Sequence, residues 1–260
     1  MQLISVDIGN SSIKLAVEQS KASKRWSTIT TIRNSDPIAI ELVDEPAFWS
    51  VCSVNRDRHN DLQDWVRRNR SQDHWHLIDE SEISLKSNVE SRAEVGRDRL
   101  LGAWMAFRLN DDVGPIAIVD AGTAVTVDLV DANGRFQGGT IFPGTATSLK
   151  YLSGSTDALP DLSDRSFMEL LGDIRHDVLG KSTHEAILRG VFQAQIGSIL
   201  HITDLLRKQT SDDLEVYATG GGISDLQRGM PTSWNFVPDL VLQGANRIGR
   251  KLMKANESSI

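Results

Sequence analysis

Two short segments of this 260-residue chain, 113 residues apart, carry the residue types that handle phosphate. Leu3-Ile-Ser-Val-Asp-Ile-Gly-Asn-Ser-Ser-Ile-Lys-Leu-Ala-Val17 and Ile116-Ala-Ile-Val-Asp-Ala-Gly-Thr-Ala-Val-Thr-Val-Asp-Leu-Val130 are each an apolar run, then Asp-x-Gly-[Asn/Thr], then a second apolar run. The pattern predicts two strands joined by a tight turn, with an Asp at the end of the first strand and a glycine that lets the backbone approach a ligand. Such a turn can offer N–H and hydroxyl donors to phosphate oxygens while its Asp organises a metal ion. In the first copy Asp7, Gly9, Asn10, Ser11, Ser12 and Lys14 meet those needs, Lys14 by offsetting negative charge. Asp and Asn also build ordinary turns, so one copy alone says little. Recurrence at Asp120-Ala-Gly-Thr123 points to a duplicated architecture gripping one nucleotide between two lobes.

Gly96-Arg-Asp-Arg99 stands where a long polar stretch meets a helical pattern. Asp98 could be a general base for a substrate hydroxyl with Arg99 as a charged anchor, or Asp98 could cap the first helical amides; the spacing alone favours the cap. Gly138-Gly-Thr-Ile-Phe-Pro-Gly144 reads in isolation as a turn. Thr219-Gly-Gly-Gly222 could let a base or ribose reach the backbone, although glycines at strand ends are common. No segment matches the P-loop or the dinucleotide-binding glycine fingerprint. His74 and His76 share a face if they lie on a strand, but no third ligand type is near them. His176, His184 and His201 form no triad with a serine, and no nucleophile-elbow motif is present.

The elements that must position these residues follow from periodicity. Strands are expected at Lys24 to Ile32, Phe48 to Val54, Trp75 to Ile78, 135 to 142 and Leu214 to Ala218, besides the two hairpins. Helices are expected at Pro37 to Val43, Asp57 to Arg70, Arg97 or Asp98 to Leu109, Thr183 to about Lys208, and Asp239 to about Lys254. Ser182 and Glu185 suit a capping box. The stretch from Asp79 to Gly96 is expected to be a long loop, and such loops are often functional. Asn-Asp-Asp-Val-Gly-Pro, ending at Pro115, interrupts the apolar pattern and suggests lobes at residues 1–113 and 114–260.

Hydrophobic residues at 40% and charged residues at 24% fit an ordinary folded domain pair rather than disorder. A formal net charge of -7 argues against nucleic-acid binding, and Arg67-Arg-Asn-Arg70 is short enough to be a solvated helix face. The single cysteine, Cys52, excludes an intrachain disulfide and suits a reducing compartment and a core position. No signal-peptide pattern opens the chain and no apolar stretch approaches the about 20 residues that span a bilayer, so the cytoplasm is expected.

Taken in order, Asp7-Ile-Gly-Asn-Ser-Ser-Ile-Lys14, Glu94-Val-Gly-Arg-Asp-Arg99, Asp120-Ala-Gly-Thr-Ala-Val-Thr-Val-Asp128, Gly138-Gly-Thr-Ile-Phe-Pro-Gly144 and Gly180-Lys-Ser-Thr183 resemble the type III pantothenate kinases. The resemblance covers about residues 2 to 250. It implies an α/β fold of two duplicated actin-like (ribonuclease H-like) lobes with a nucleotide cleft between them, in the acetate and sugar kinase, heat-shock chaperone and actin superfamily, assembled as a homodimer. It also implies ATP-dependent phosphorylation of the 4'-hydroxyl of pantothenate, the first step towards coenzyme A. By residue, it implies that Asp7, Ile8, Gly9, Asn10, Ser11, Ser12, Ile13 and Lys14 bind ATP phosphates, with Asp7 near magnesium, and that Thr123 contacts ATP. Gly96, Arg97, Asp98, Arg99 and Thr183 would contact pantothenate, Asp98 would accept the proton, and Asp120 would hold potassium or ammonium. Two departures stand out: Ser87, Asn88 and Val89 lie where the family often has an aromatic residue, and Val125 stands where a threonine is usual. Rival readings are a kinase of the same fold acting on another small polyol or acid, and a non-catalytic nucleotide-binding regulator, since relatives have also been described as accessory transcription factors.

Overall fold

The computed structural model describes residues 1–18, 26–42, 45–163 and 178–257. His176 and parts of the stretches 24–32 and 37–43 lie outside the described residues. In chain order the main elements are β1 (Gln2–Ile8), β2 (Ser12–Glu18), β3 (Trp26–Arg33), β4 (Ala47–Ser53), α1 (Arg56–Asn69), β5 (His74–Leu77), β6 (Lys86–Ser87), α2 (Arg97–Leu109), β7 (Ile116–Ala121), β8 (Ala124–Val130), β9 (Arg135–Pro143), α3 (Thr145–Gly154), α4 (Thr183–Gln209), β10 (Glu215–Thr219), α5 (Ile223–Leu226), β11 (Asn235–Phe236) and α6 (Leu240–Glu257).

The first compact unit comprises Met1–Leu85, Glu90–Arg108 and Leu240–Ile260, and the second Lys86–Val89 and Leu109–Asp239. In the first, the sheet order is β3-β2-β1-β4-β5. Central β1 pairs antiparallel with β2 and parallel with β4. Its alternation puts Ile4, Val6 and Ile8 into one core with Ile13, Leu15, Trp49, Val51, Leu62 and Val66. Burying each such side chain contributes about 1.5–3 kcal/mol before the entropy of ordering is counted. Helix α1 starts where the Asn55 side chain accepts from Arg58 N at 3.0 Å, capping an orphan amide of the first turn.

The second unit repeats the plan. Central β7 pairs antiparallel with β8 and parallel with β10, in a sheet ordered β11-β10-β7-β8-β9-β6. Apart from the added β6, this is the connectivity of the first sheet, so the chain consists of two duplicated actin-like α/β lobes. Ala117, Val119, Val125, Val127, Val216 and Ala218 pack with Leu188, Phe192, Ile196 and Ile199 of α4.

Several expectations are corrected. No helix forms over the described part of residues 37–43; Ile38, Ile40 and Leu42 alternate with exposed neighbours and pack on the first core as extended chain. Their period of two is a strand signal, not a helical one. The lobes are not contiguous at residue 113, because α6 returns to the first unit. There Met253 packs with Leu3 and Phe48, and Ser50 Oγ donates to Ala245 O at 2.8 Å. Gly138 to Pro143 is strand rather than turn, since β9 runs through it against β8 and only Gly144 turns into α3. Ser182 caps α4 by accepting from Glu185 N, whereas the Glu185 carboxylate reaches back to Lys181 N rather than Ser182 N. The expected loop at 79–96 contains β6 and two short 3-10 turns. Of the basic cluster, Arg67 and Arg68 are solvated as expected, but Arg70 is enclosed against Asp73 at 2.9 Å.

Close packing of α6 is testable. A Cβ on Gly249 would lie 2.7 Å from Leu3 Cδ1 and 2.8 Å from Ser50 Cβ. Gly249→Val gains a few tenths of a kcal/mol in helix propensity but overpacks by about 1–3 kcal/mol, so overpacking wins. Urea titration should show a lowered midpoint; an unchanged or raised midpoint would mean that α6 does not seat on the sheet this closely.

Candidate active site

The first hairpin is built as a rigid turn on a buried strand pair. Asp7 lies at the C-terminal end of β1, opposite Lys14 on β2 and beside Cys52 on β4. Gly9 N donates to Ser12 O at 2.9 Å and closes the turn, leaving Asn10 and Ser11 exposed. Ile8 and Ile13 are paired in register and fully buried in the core. Their side chains therefore hold the hairpin, and any contact they make with a ligand is through the main chain.

Asp98 sits in the first turn of α2, with Oδ1 accepting from Arg99 N at 2.8 Å. Leu100 N donates to Gly96 O at 3.1 Å, starting the helix. Burial raises the Asp98 carboxyl above its usual range; the Arg99 amide bond and guanidinium oppose this without cancelling it. Cys52, fully buried at the end of β4, is pushed well up by desolvation and then by the charges of Asp7 and Asp98, with Arg97 opposing. The thiol therefore stays protonated and unreactive. The Asp7 hairpin and the Gly96–Arg99 segment both belong to the first unit. Helix initiation and a carboxyl held above its usual range coexist in Asp98.

The loop leading to Gly96 is pinned by a residue outside the sequence motifs. Arg92 donates to the carbonyls of Leu85, of Ile83 at 3.0 Å and of Glu80 at 3.4 Å, and pairs with the Glu80 carboxylate at 2.6 Å. Nothing local in the sequence marks an arginine that will bind carbonyls up to twelve residues away.

In the second unit Asp120 lies opposite Thr126 and beside Thr219. Gly122 N donates to Ala124 O at 2.9 Å, repeating the closure of the first turn. The Thr123 carbonyl accepts from Gly144 N at 2.9 Å and from Thr147 Oγ1 at 2.6 Å, which fixes the exposed turn. Gly220 has φ +98°, and an added Cβ would collide with Asp120 Oδ1 and Ala121 O. Gly222 N donates to Ala121 O at 2.8 Å. The Thr219–Gly222 segment, left open by sequence, thus packs directly on the hairpin. Thr126 Oγ1 is buried with no partner among the described residues. A carboxylate with two threonines as its sheet neighbours is a hard-oxygen donor set of the kind that fits a cation.

Thr183 is an exposed residue at the start of α4 in the second unit, whereas Gly96 to Arg99 belong to the first. Val125 is in the core, on the face opposite Thr126, so the missing hydroxyl is lost from packing and not from the Asp120 face. Ser87 pairs with Phe136 through β6, Asn88 N donates to Phe136 O at 2.8 Å, and Asn88 Nδ2 donates to Gln137 Oε1 at 3.1 Å. His74 and His76 stack on Phe48, and His76 Nε2 meets Glu82 at 2.9 Å. Among the described residues no three His, Cys, Asp or Glu side chains cluster to hold a metal, and no helix is long and apolar enough to cross a membrane.

Duplicated actin-like lobes, each with an acid-bearing hairpin at the same place in its sheet, define the ATP-handling class of this fold. The chain belongs to the type III pantothenate kinase family, whose model matches residues 3–205. It is similar to the type III pantothenate kinase of Desulfovibrio desulfuricans, with 29% identity over 95% of this chain and 96% of that one. It is also similar to that of Agathobacter rectalis, with 27% identity over 96% and 97% of the two chains. Among solved structures, a Campylobacter jejuni protein described as a Baf family transcriptional activator aligns with a TM-score of 0.61 and 19% identity, covering 98% of this chain and 100% of that one, a likeness of fold alone.

The raised Asp98 carboxyl carries a stability prediction. Its folded pKa exceeds the unfolded value of about 3.9, so the folded state binds more protons between the two and loses stability as pH rises through that window. Asp98→Asn keeps the acceptor for Arg99 N and removes the half-buried charge. The variant should unfold at a higher denaturant midpoint than wild type at neutral pH, with the gap closing below about pH 4. A gap of the opposite sign at neutral pH would mean that Arg99 and the helix start outweigh burial.

Proposed function

We propose that this chain transfers the γ-phosphoryl group of ATP to the 4'-hydroxyl of pantothenate, forming 4'-phosphopantothenate for coenzyme A synthesis. Family membership supports the substrate pair. The observation that carries the mechanism is the half-buried Asp98 carboxylate, placed in the first turn of α2 with its Oδ1 held by Arg99 N and raised above its usual range by burial.

In this mechanism the hairpin from Asp7 to Lys14 binds the ATP phosphates through main-chain N–H groups, the Asn10, Ser11 and Ser12 side chains and the Lys14 ammonium. Asp98 accepts the proton of the pantothenate hydroxyl as the oxygen attacks phosphorus, a role that typically contributes about 10²- to 10⁴-fold. Arg99 suits the pantothenate carboxylate because its planar fork donates two hydrogen bonds. Gly96 and Arg97 complete that side; Thr183, of this or a neighbouring subunit, is a further pantothenate contact of the proposal, and Thr123 an ATP contact. Asp7 would hold magnesium together with the phosphates, and Asp120 would hold potassium or ammonium. When bound, the ions offset phosphate charge and so stabilise the transition state. The proposal extends to a homodimer in the cytoplasm, with neither nucleic acid nor membrane as partner.

ADP release measured with magnesium-ATP and pantothenate should require pantothenate and should occur in potassium or ammonium but not in sodium buffer. Asp98→Asn should lower kcat by about 10²-fold or more while ATP still binds; near-normal turnover removes the base role. ADP release with another small alcohol but not with pantothenate would shift the acceptor, in keeping with the Ser87–Val89 departure.

A further inference from the structure

We infer that Asn34, outside every motif of the hairpin, is a positioning residue for nucleotide phosphate: it fixes the Gly9–Asn10 peptide so that the Asn10 N–H is presented to the ligand. The inference rests on the phosphate-binding reading of the first hairpin and adds to it a residue 25 positions away in the chain.

Asn34 immediately follows β3. Its main-chain N donates to Ser11 O at 2.9 Å, and its side-chain Nδ2 donates to Gly9 O at 3.1 Å. Facing a carbonyl, that end of the amide must be the NH2 group, which settles the orientation of the side chain. In a planar trans peptide the C=O of one residue and the N–H of the next point in opposite directions. Holding Gly9 O on the side of Asn34 therefore turns the Asn10 N–H to the other side. Holding Ser11 O does the same for the Ser12 N–H. The Ser12 N–H so turned faces β1 and the inside of the hairpin, which leaves the Asn10 N–H as the donor aimed outward before any ligand arrives, and a preorganised donor costs no reorganisation during reaction.

The turn that carries Asn34 is itself anchored. Asp36 N donates to Arg33 O at 3.0 Å, and Arg58, near the start of α1, donates through Nη2 to Asp36 O at 3.2 Å and Arg33 O at 3.5 Å. The bracing thus runs from α1 through the 33–36 turn to Gly9. Asn34 Oδ1 is meanwhile buried with no partner among the described residues.

Asn34→Asp keeps the shape but replaces the donor with a carboxylate facing Gly9 O, and Asn34→Ala removes both ends of the amide. Calorimetric titration with magnesium-ADP and steady-state kinetics should show Kd and the KM for ATP raised roughly tenfold in each variant, the scale of one hydrogen bond. The KM for pantothenate should change less than about twofold, on the same scale. Ser35→Ala, an exposed neighbour, should bind as wild type does. Wild-type nucleotide affinity in both Asn34 variants overturns the proposal. So does a parallel rise of both KM values with a lowered thermal midpoint, which is what a merely structural residue would give. A wild-type chain that binds no magnesium-ADP overturns the hairpin reading itself, an outcome seen before any variant is made.

Discussion

Each unit depends on a central strand that is hydrogen-bonded along both edges, antiparallel to its hairpin partner and parallel to a strand beyond. Such a strand has no backbone exposed to water, so its register is set by which side chains must be covered. In β1 the even residues Ile4, Val6 and Ile8 face the α1 core, which places Asp7 on the other face at the strand's C-terminal end. In β7 the odd residues Ala117, Val119 and Ala121 face the α4 core, and Asp120 is placed the same way. Slipping either strand by one residue would bury its acid in an apolar core. The positions of the two acids are thus a by-product of core burial, and they fall at the carboxyl ends of parallel-paired strands, where ligands of open α/β sheets bind.

Most of this was legible in sequence because hairpins are local. Asp-x-Gly flanked by apolar runs specifies strand, turn and strand without help from distant residues, and α1, α2 and α4 announce themselves by period and caps. What failed was either parity or distance. Ile38, Ile40 and Leu42 alternate, a period of two that the helix expected over Pro37 to Val43 does not have. Val125 also belongs to a visible alternation with Thr126, Val127 and Asp128, which already assigns it to the covered face. Distance hid the rest. The seat of α6 is Leu3, Phe48 and Ser50, some 200 residues earlier in the chain, and no window of sequence contains both partners. Arg92 and Asn34 act through main-chain carbonyls, which leave no side-chain signature at the other end.

Asp98 is where the demands of the fold and of the proposed chemistry meet. An acid in the first turn of a helix is favoured by about 0.3–1 kcal/mol through the helix dipole, and the Arg99 amide and guanidinium favour the ionised form further. Burial outweighs both, so the carboxyl is held above its normal range. Cys52 is part of the reason that this can be tolerated. A thiol kept protonated adds no third charge beside Asp7 and Asp98, and its small volume fits a fully covered position in β4. A carboxylate at Cys52 would add like charge where burial already disfavours it.

The duplication is not symmetric, and the asymmetry bears on the two cations of the proposed mechanism. The acid of the first hairpin stands across from a lysine, Lys14; the acid of the second stands across from Thr126 and beside Thr219, two hydroxyls. Neither sheet neighbour of Asp120 can neutralise phosphate oxygens, but both can offer lone pairs, as can a carboxylate. A set of one negative group and neutral oxygens balances a single positive charge better than a double one. A monovalent ion at Asp120 would do for the second hairpin what the Lys14 ammonium does for the first. Gly220 belongs to the same corner: its left-handed backbone and missing Cβ let the chain pack directly against the Asp120 carboxylate, where any side chain would collide with it.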